Sequence, residues 1–197
     1  MNIKITYNWL LDYLETDADP YELQKYLSLC GPSVETVEKT KDDYILDIEV
    51  TSNRVDMASV FGVAQEAVAI LPQFGKKARL KIDPLETLSF KDIKRTAKEM
   101  LKVKIEDKNL CSRFTTIVLS GIKIGRSPEF IRKRLRMADV QPINNVVDIS
   151  NYLMIALGQP THVFDYDKIG KRIARVETCL RIDRELANGH VLAKRWR

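Results

Sequence analysis

Four polar side chains, Asp148, Ser150, Asn151 and His162, fall inside one largely apolar stretch, PINNVVDISNYLMIALGQPTHVFD over 142–165. A buried polar group without a partner costs about 1–3 kcal/mol. The cluster therefore implies either a mutually satisfied network or the floor of a pocket. A Ser/His/Asp triad could be drawn from Ser150, His162 and Asp165 or Asp148. Against it, Ser150 falls within a helical pattern rather than on the strained elbow that exposes such a nucleophile. His162 has no cysteine or second histidine nearby, so the donor set argues against a metal site.

The elements that must position these residues can be read outward from them. Helical spacing places Val146, Ile149, Leu153 and Leu157 on one stripe with Val147 and Met154 beside it, and Ser150 and Asn151 interrupt that face. Gly158 ends the helix, Pro160 prevents its resumption, and the turn between them can return His162 toward the helix end. Upstream, a second helix starts at Ser127-Pro128, with Phe130, Ile131, Leu135 and Ala138 expected inward. Its basic run, Arg132, Lys133, Arg134 and Arg136, reads as a solvated face rather than an RNA contact. Two strand-like runs, Met100–Glu106 and Phe114–Ile124, precede it, and the polar segment 75–98 reads as a linker.

Before the linker lies a smaller unit. Asn8 is expected to cap a short helix carrying Trp9, Leu10, Tyr13 and Leu14. Asp19, Pro20 and Glu22 have the spacing of a capping box, and Leu23, Leu27 and Cys30 then share a face until Gly31-Pro32. Strands are predicted over Val34–Glu38 and Tyr44–Val50, the latter alternating Leu46, Ile48 and Val50 with polar positions. Ser59 caps a further helix with Val60, Ala64, Ala67, Val68 and Leu71 on one face, ending at Leu71-Pro72.

With 45% hydrophobic and 30% charged residues among 197, the composition is that of a globular chain and excludes long disorder. No apolar run approaches the roughly 20 residues of a membrane span, and the acids and tyrosines near the start argue against a secretory signal. Cys30, Cys111 and Cys179 have no short spacing between them; they suggest neither disulfides nor zinc and read as small buried apolar groups. Eight basic and three acidic residues over 171–197 carry the whole net charge of +5, while residues 1–170 balance. Charge therefore gives no case for a nucleic-acid surface, DNA included, on the main body. The tail itself offers a strand over Arg172–Val176, a turn at Asn188-Gly189, and a histidine, His190, with no motif around it.

Two segments resemble the bacterial-type phenylalanyl-tRNA synthetase (phenylalanine–tRNA ligase) β chain. One is DIEVTSNRVD over 47–56, followed by Ser59, Gly62, Ala64 and Glu66; the other is PINNVVDISNY with GQPTHVFDYDKI. The second is similar to the start of that family's B3/4 editing domain, and the resemblance extends over about residues 1–170. It implies an α/β (α+β) fold of two small mixed units: an N-terminal α/β module over 1–74, the linker 75–98, and a partial B3/4-type editing domain over 99–170, with the basic tail 171–197 outside the resemblance.

The function so implied is service in phenylalanyl-tRNA formation and in editing of tyrosine mischarged onto the phenylalanine tRNA, in the cytoplasm. His162, Ser150 and Asn151 are the implied catalytic residues of a partial editing pocket. A positioned histidine can orient or deprotonate an attacking water, and small hydroxyl and amide groups can hold the ester end of a charged tRNA. A pocket that accepts tyrosine over phenylalanine must pair the extra hydroxyl, and in the family the residues for that lie further along the chain. ATP and Mg2+ are implied for the holoenzyme and no cofactor for this chain; the implied partners are the synthetase α subunit and, through the holoenzyme, tRNA(Phe). Ligation belongs to the α subunit, so whether this chain is itself an enzyme stays open. The alternatives are a stand-alone aminoacyl-tRNA deacylase and a non-catalytic docking module for an α subunit. Three departures accompany the resemblance: five polar residues, Lys39 to Asp43, stand where an OB-fold insertion is expected; Ser52 and Ser150 replace a common proline and a common threonine; and the resemblance fades after Lys168-Ile169-Gly170.

Overall fold

A strand, not a helix, opens the chain. The computed structural model describes residues 1–84, 101–105, 107–109, 111, 113–119 and 121–168, and the backbone of 173–178, 181–182 and 191–195. Residues 85–98 of the expected linker, Met100, the Asn188-Gly189 turn, His190 and Cys179 lie outside the described residues. Strand β1 (Asn2–Thr6) buries Ile5 and pairs antiparallel with β4 (Tyr44–Glu49), Ile5 opposite Leu46. The helix expected from Asn8 shrinks to one turn, α1 (Tyr7–Leu10). Thr6 caps it, because its buried hydroxyl accepts the Trp9 N–H at 3.2 Å. Asn8 is instead tied to the hairpin, its N–H to Asp43 and its amide to the Asp42 carbonyl. Leu14 leaves helical spacing altogether and starts β2 (Leu14–Thr16).

Helix α2 (Pro20–Cys30) begins in the capping box read from the sequence: Asp19 Oδ1 accepts the N–H groups of Tyr21 and Glu22 at 2.9 Å, and Glu22 accepts the Asp19 N–H at 3.0 Å. Leu23 and Leu27 are buried as expected, but Cys30 is exposed because the helix stops on that turn at Gly31. Asp19→Ala is expected to cost about 1 kcal/mol, read as a thermal midpoint lower by roughly 2–4 °C. Strand β3 (Ser33–Lys39) joins β4 through a turn in which Thr40 and Asp43 bond each other, giving the antiparallel order β1-β4-β3. Leu46, Ile48 and Val50 are buried, which is the face the alternation predicted.

Helix α3 (Val60–Ile70) is capped by Ser59, as read, and runs into one 3-10 turn, Leu71–Phe74, that ends on Gly75 at φ 75°. Within the segment read as linker, β5 (Ala78–Leu80) pairs with β2. Beyond it come β6 (Lys102–Ile105), β7 (Phe114–Val118), α4 (Glu129–Met137), α5 (Asn145–Leu157) and β8 (Thr161–His162). Strands β9 (Ile173–Thr178), β10 (Arg181–Ile182) and β11 (Val191–Arg195) follow. β9 lies parallel to β6 and antiparallel to β10, while β11 runs between β7 and β8. The fold is thus mixed α/β, with small sheets and, among the described residues, five α-helices. None of the described helices is long and apolar enough to cross a membrane.

One large core gathers Ile5, Trp9, Leu10, Leu23, Leu46, Ile48, Val63 and Leu71, and it also takes in Ala156 of α5 with Tyr152, Ile155 and Leu157 packed against it. The face of α5 turned inward is therefore the predicted stripe only in part: Leu157 packs on the core, but Ile149 and Leu153 are 45% and 38% exposed. In α4, Ile131 and Leu135 are buried, whereas Phe130 points outward at 58% exposure. The basic run on α4 is spent on ion pairs: Arg132 and Arg136 with Glu129, Lys133 with Asp42, Arg134 with Asp12. A second, smaller cluster packs Val118, Phe164 and Tyr166 on Leu101.

Candidate functional site

The helix that carries Ser150 and Asn151 is fixed at both ends by its own sequence. Asn144 caps α5, its Oδ1 accepting from the Val146 and Val147 N–H groups at 3.1 Å. Asn145 holds the preceding loop by accepting from the Gly125 N–H and donating to the Lys123 carbonyl. Gly158 closes the helix at φ 70°, and a Cβ there would lie 3.3 Å from the Ser59 Cβ, so the turn after α5 sits against the start of α3. The Gly-Gln-Pro-Thr-His segment thus leaves the helix in a left-handed conformation that favours glycine.

The buried polar groups are satisfied, in two separate parts. Asp148 is 1% exposed; it accepts the Ile143 N–H at 2.7 Å and a short bond from the Ser127 hydroxyl. Ser150, also buried, donates to the Thr161 carbonyl at 3.0 Å and shares a second bond with the Thr161 hydroxyl at 2.6 Å. Asp148 and Ser150 are thus each satisfied by Ser127, Ile143 and Thr161 rather than by one another, so the four polar groups do not form a mutual network among the described residues. Removing Asp148 strands both donors, so Asp148→Ala is expected to lower unfolding stability by about 1–3 kcal/mol, measurable by chemical denaturation.

His162 follows Thr161 on β8 with its side chain exposed, the ring 6.4 Å from that of Phe164. Its backbone partner is Ala193 of β11. Asn151 is half-buried next to Ser150 on the helix. Among the described residues no hydrogen bond joins His162 to Ser150, Asn151, Asp148 or Asp165, so the Ser/His/Asp triad is not assembled. No cluster of three or more His, Cys, Asp or Glu that could hold a metal ion occurs among them either. The residues that the sequence reading missed are Thr161 and Ser127. Each is a hydroxyl next to a glycine- or proline-containing turn, and its pairing becomes visible only once the turn has folded back.

Comparison with known proteins sharpens this geometry. Residues 110–182 match the model of the B3/4 domain family. The phenylalanine–tRNA ligase β subunit of Rhodopirellula baltica is 36% identical over 167 residues, 85% of this chain and 23% of that protein. The corresponding subunits of Dehalococcoides mccartyi and Clostridium acetobutylicum are 45% and 44% identical over 130 and 124 residues. The chain is homologous to part of the phenylalanine–tRNA ligase β subunit. It spans 15–23% of the length of these relatives. The B3/4 match contains Asp148, Ser150, Asn151 and His162 together, and it runs past residue 170 into the segment 171–197.

The other motif shared in outline with the ligase β chain, around residues 47–66, is a scaffold in this structure. Arg54 bridges Asp56 at 2.9 Å and Glu66 by a shorter contact, which ties the turn before α3 to the helix itself. The hydrogen bonds from Arg54 hold the Asp56 carboxyl below its ordinary value. A depressed carboxylate stabilises the fold above the unfolded value, about pH 4, and that contribution is lost as pH falls through the folded value. Arg54→Met is therefore expected to flatten the acid limb of the stability curve below about pH 4. The pair is partly exposed and screened by solvent, so the effect is small; thermal midpoints from pH 7 to 3 would measure it.

Proposed function

We propose that the chain serves phenylalanyl-tRNA formation as a β-subunit part and takes part in removing tyrosine mischarged onto tRNA(Phe), in the cytoplasm. The observation that carries this reading is the pair of bonds from Ser150 to Thr161, which fasten the Gly-Gln-Pro-Thr-His turn to the helix bearing Ser150 and Asn151. Water adds to the ester carbonyl, the bond to the ribose oxygen breaks, and tyrosine and free tRNA leave. His162, on the open side of the turn, orients or deprotonates that water. Ser150 holds the turn, and Asn151 offers an amide to the ester end. Ligation, with its ATP and Mg2+, lies outside what these residues are proposed to do. The test is hydrolysis of tyrosyl-tRNA(Phe), with phenylalanyl-tRNA(Phe) as control, by the chain alone and with the synthetase α subunit. Selective loss of the tyrosyl ester supports the reading; equal rates with and without the chain in both settings remove it.

A second reading, a non-catalytic docking module for the α subunit, is favoured by the exposed apolar side chains Ile149, Leu153 and Met154 on α5. Co-purification with an α subunit that Leu153→Asp abolishes, with no hydrolysis detected, would select it.

A further inference from the structure

We propose that Arg134 is a positioning residue that sets the axial rotation of helix α5, and with it the direction in which Ser150 and Asn151 face. Its contacts lie on α5 and on and just after α1. From α4, the guanidinium donates to the Tyr152 hydroxyl of α5 at 2.7 Å, pairs with Asp12 just after α1 at 2.6 Å, and lies 5.4 Å from the centre of the Trp9 ring. Trp9 and Tyr152 stack at 4.6 Å with planes 23° apart. Only a planar fork carries this combination of hydrogen bond, ion pair and ring contact, which an ammonium group cannot reproduce.

Trp9 supplies the second argument. The ring is fully buried, yet its Nε1 has no hydrogen-bond partner among the described residues. Leaving an indole N–H unsatisfied is costly, so no polar anchor fixes this ring. Its packing does: the ring sits in the core, stacked on Tyr152, with Arg134 5.4 Å from its centre. The indole is thus a flat bearing surface rather than a polar contact, and Arg134 locks Tyr152 onto it.

The geometry of a helix turns that lock into an orientation. Tyr152 lies two positions after Ser150, a rotation of about 200° at roughly 100° per residue. Pinning Tyr152 to the N-terminal module therefore drives Ser150 to the opposite side of α5, where Thr161 meets it. Ile149 and Leu153, about 60° and 100° round the helix from Tyr152, remain 45% and 38% exposed. Asn144 at the cap and Gly158 at the end hold the helix along its length, and Tyr152 fixes its rotation together with Asp148, bonded to Ser127 and Ile143, and Ala156 in the core.

As a statement about catalysis this rests on the editing reading above; as a statement about the helix it does not. The test uses the whole chain and compares Arg134→Gln and Tyr152→Phe, the latter keeping the stacked ring and removing only the hydroxyl. Amide hydrogen exchange in residues 145–157 is expected to accelerate about 10-fold in both variants, with residues 20–30 unchanged, and Arg134→Lys should recover part of the protection. In tyrosyl-tRNA(Phe) hydrolysis, kcat should fall about 10-fold at constant KM, since misplacing a reacting group weakens the chemical step rather than binding. Unchanged exchange in 145–157 would overturn the proposal, and so would acceleration spread equally over residues 20–30. If the unmutated chain hydrolyses nothing while the exchange pattern appears, the helix lock stands and the editing reading falls.

Discussion

Gly62→Ala is expected to be the most destabilising single-methyl change in the N-terminal module, lowering stability by about 3 kcal/mol or more. A Cβ at this position would stand 2.0 Å from the Asp56 carbonyl oxygen and 2.9 Å from the Met57 Cα, both backbone atoms. The turn cannot withdraw freely, because Arg54 ties Asp56 to Glu66 on the far side of the helix start. Nor can the helix, because the Gly62 N–H is held by the Ser59 hydroxyl at 2.9 Å. Intrinsic helix propensity favours alanine over glycine by about 1 kcal/mol, so propensity and sterics predict opposite signs. The steric term wins here, as overpacking and a lost cap together exceed that gain. The thermal midpoint should drop by roughly 6–12 °C; an unchanged or raised midpoint would mean that the turn at 55–57 slides away without loss.

His162→Ala is expected to lower tyrosyl-tRNA(Phe) hydrolysis by about 100-fold or more, the low end of what a positioned general base contributes, and to leave the fold intact. The two halves follow from one fact: the side chain is exposed and bonds to none of the described residues. Deleting it opens no cavity and strands no partner among the described residues, so the thermal midpoint should stay within about 1 °C. Ser150→Ala behaves differently, since it frees Thr161 and loosens the turn. A histidine variant with unchanged hydrolysis would move the chemistry elsewhere on the chain.

The parts of this fold legible in the sequence are those decided within a few residues. The Asp19-Pro20-Glu22 box, the Ser59 cap and the Gly158 stop each involve partners one turn away, and each stands where spacing put it. β1 was illegible because two isoleucines make a poor period, and its reason to be a strand is β4, far along the chain. For α5, periodicity defined an apolar stripe correctly but not which side would be covered. That choice is made by Trp9 and Arg134, neither of which is near the helix in sequence. The candidate residues followed the same rule. Ser150, Asn151 and His162 could be found from their motif, whereas Thr161 could not be picked out from one hydroxyl in a turn.

The strand that flanks His162 has a consequence for how the chain acquires its shape during synthesis. β8 pairs through Lys194 and Ala193 of β11, and β11 pairs in turn with β7, Arg195 opposite Phe114. The caps of α5 and the core under Tyr152 need nothing beyond residue 158. The Thr161–His162 segment, by contrast, gains its backbone neighbour only after β11 has been made, a delay of roughly 2–7 s at ~5–20 residues per second. Closing so long a loop is also the slow, entropically opposed kind of contact. The nascent chain therefore acquires Ser150 on a finished helix well before His162 is paired, and the two sides of the candidate site mature in that order.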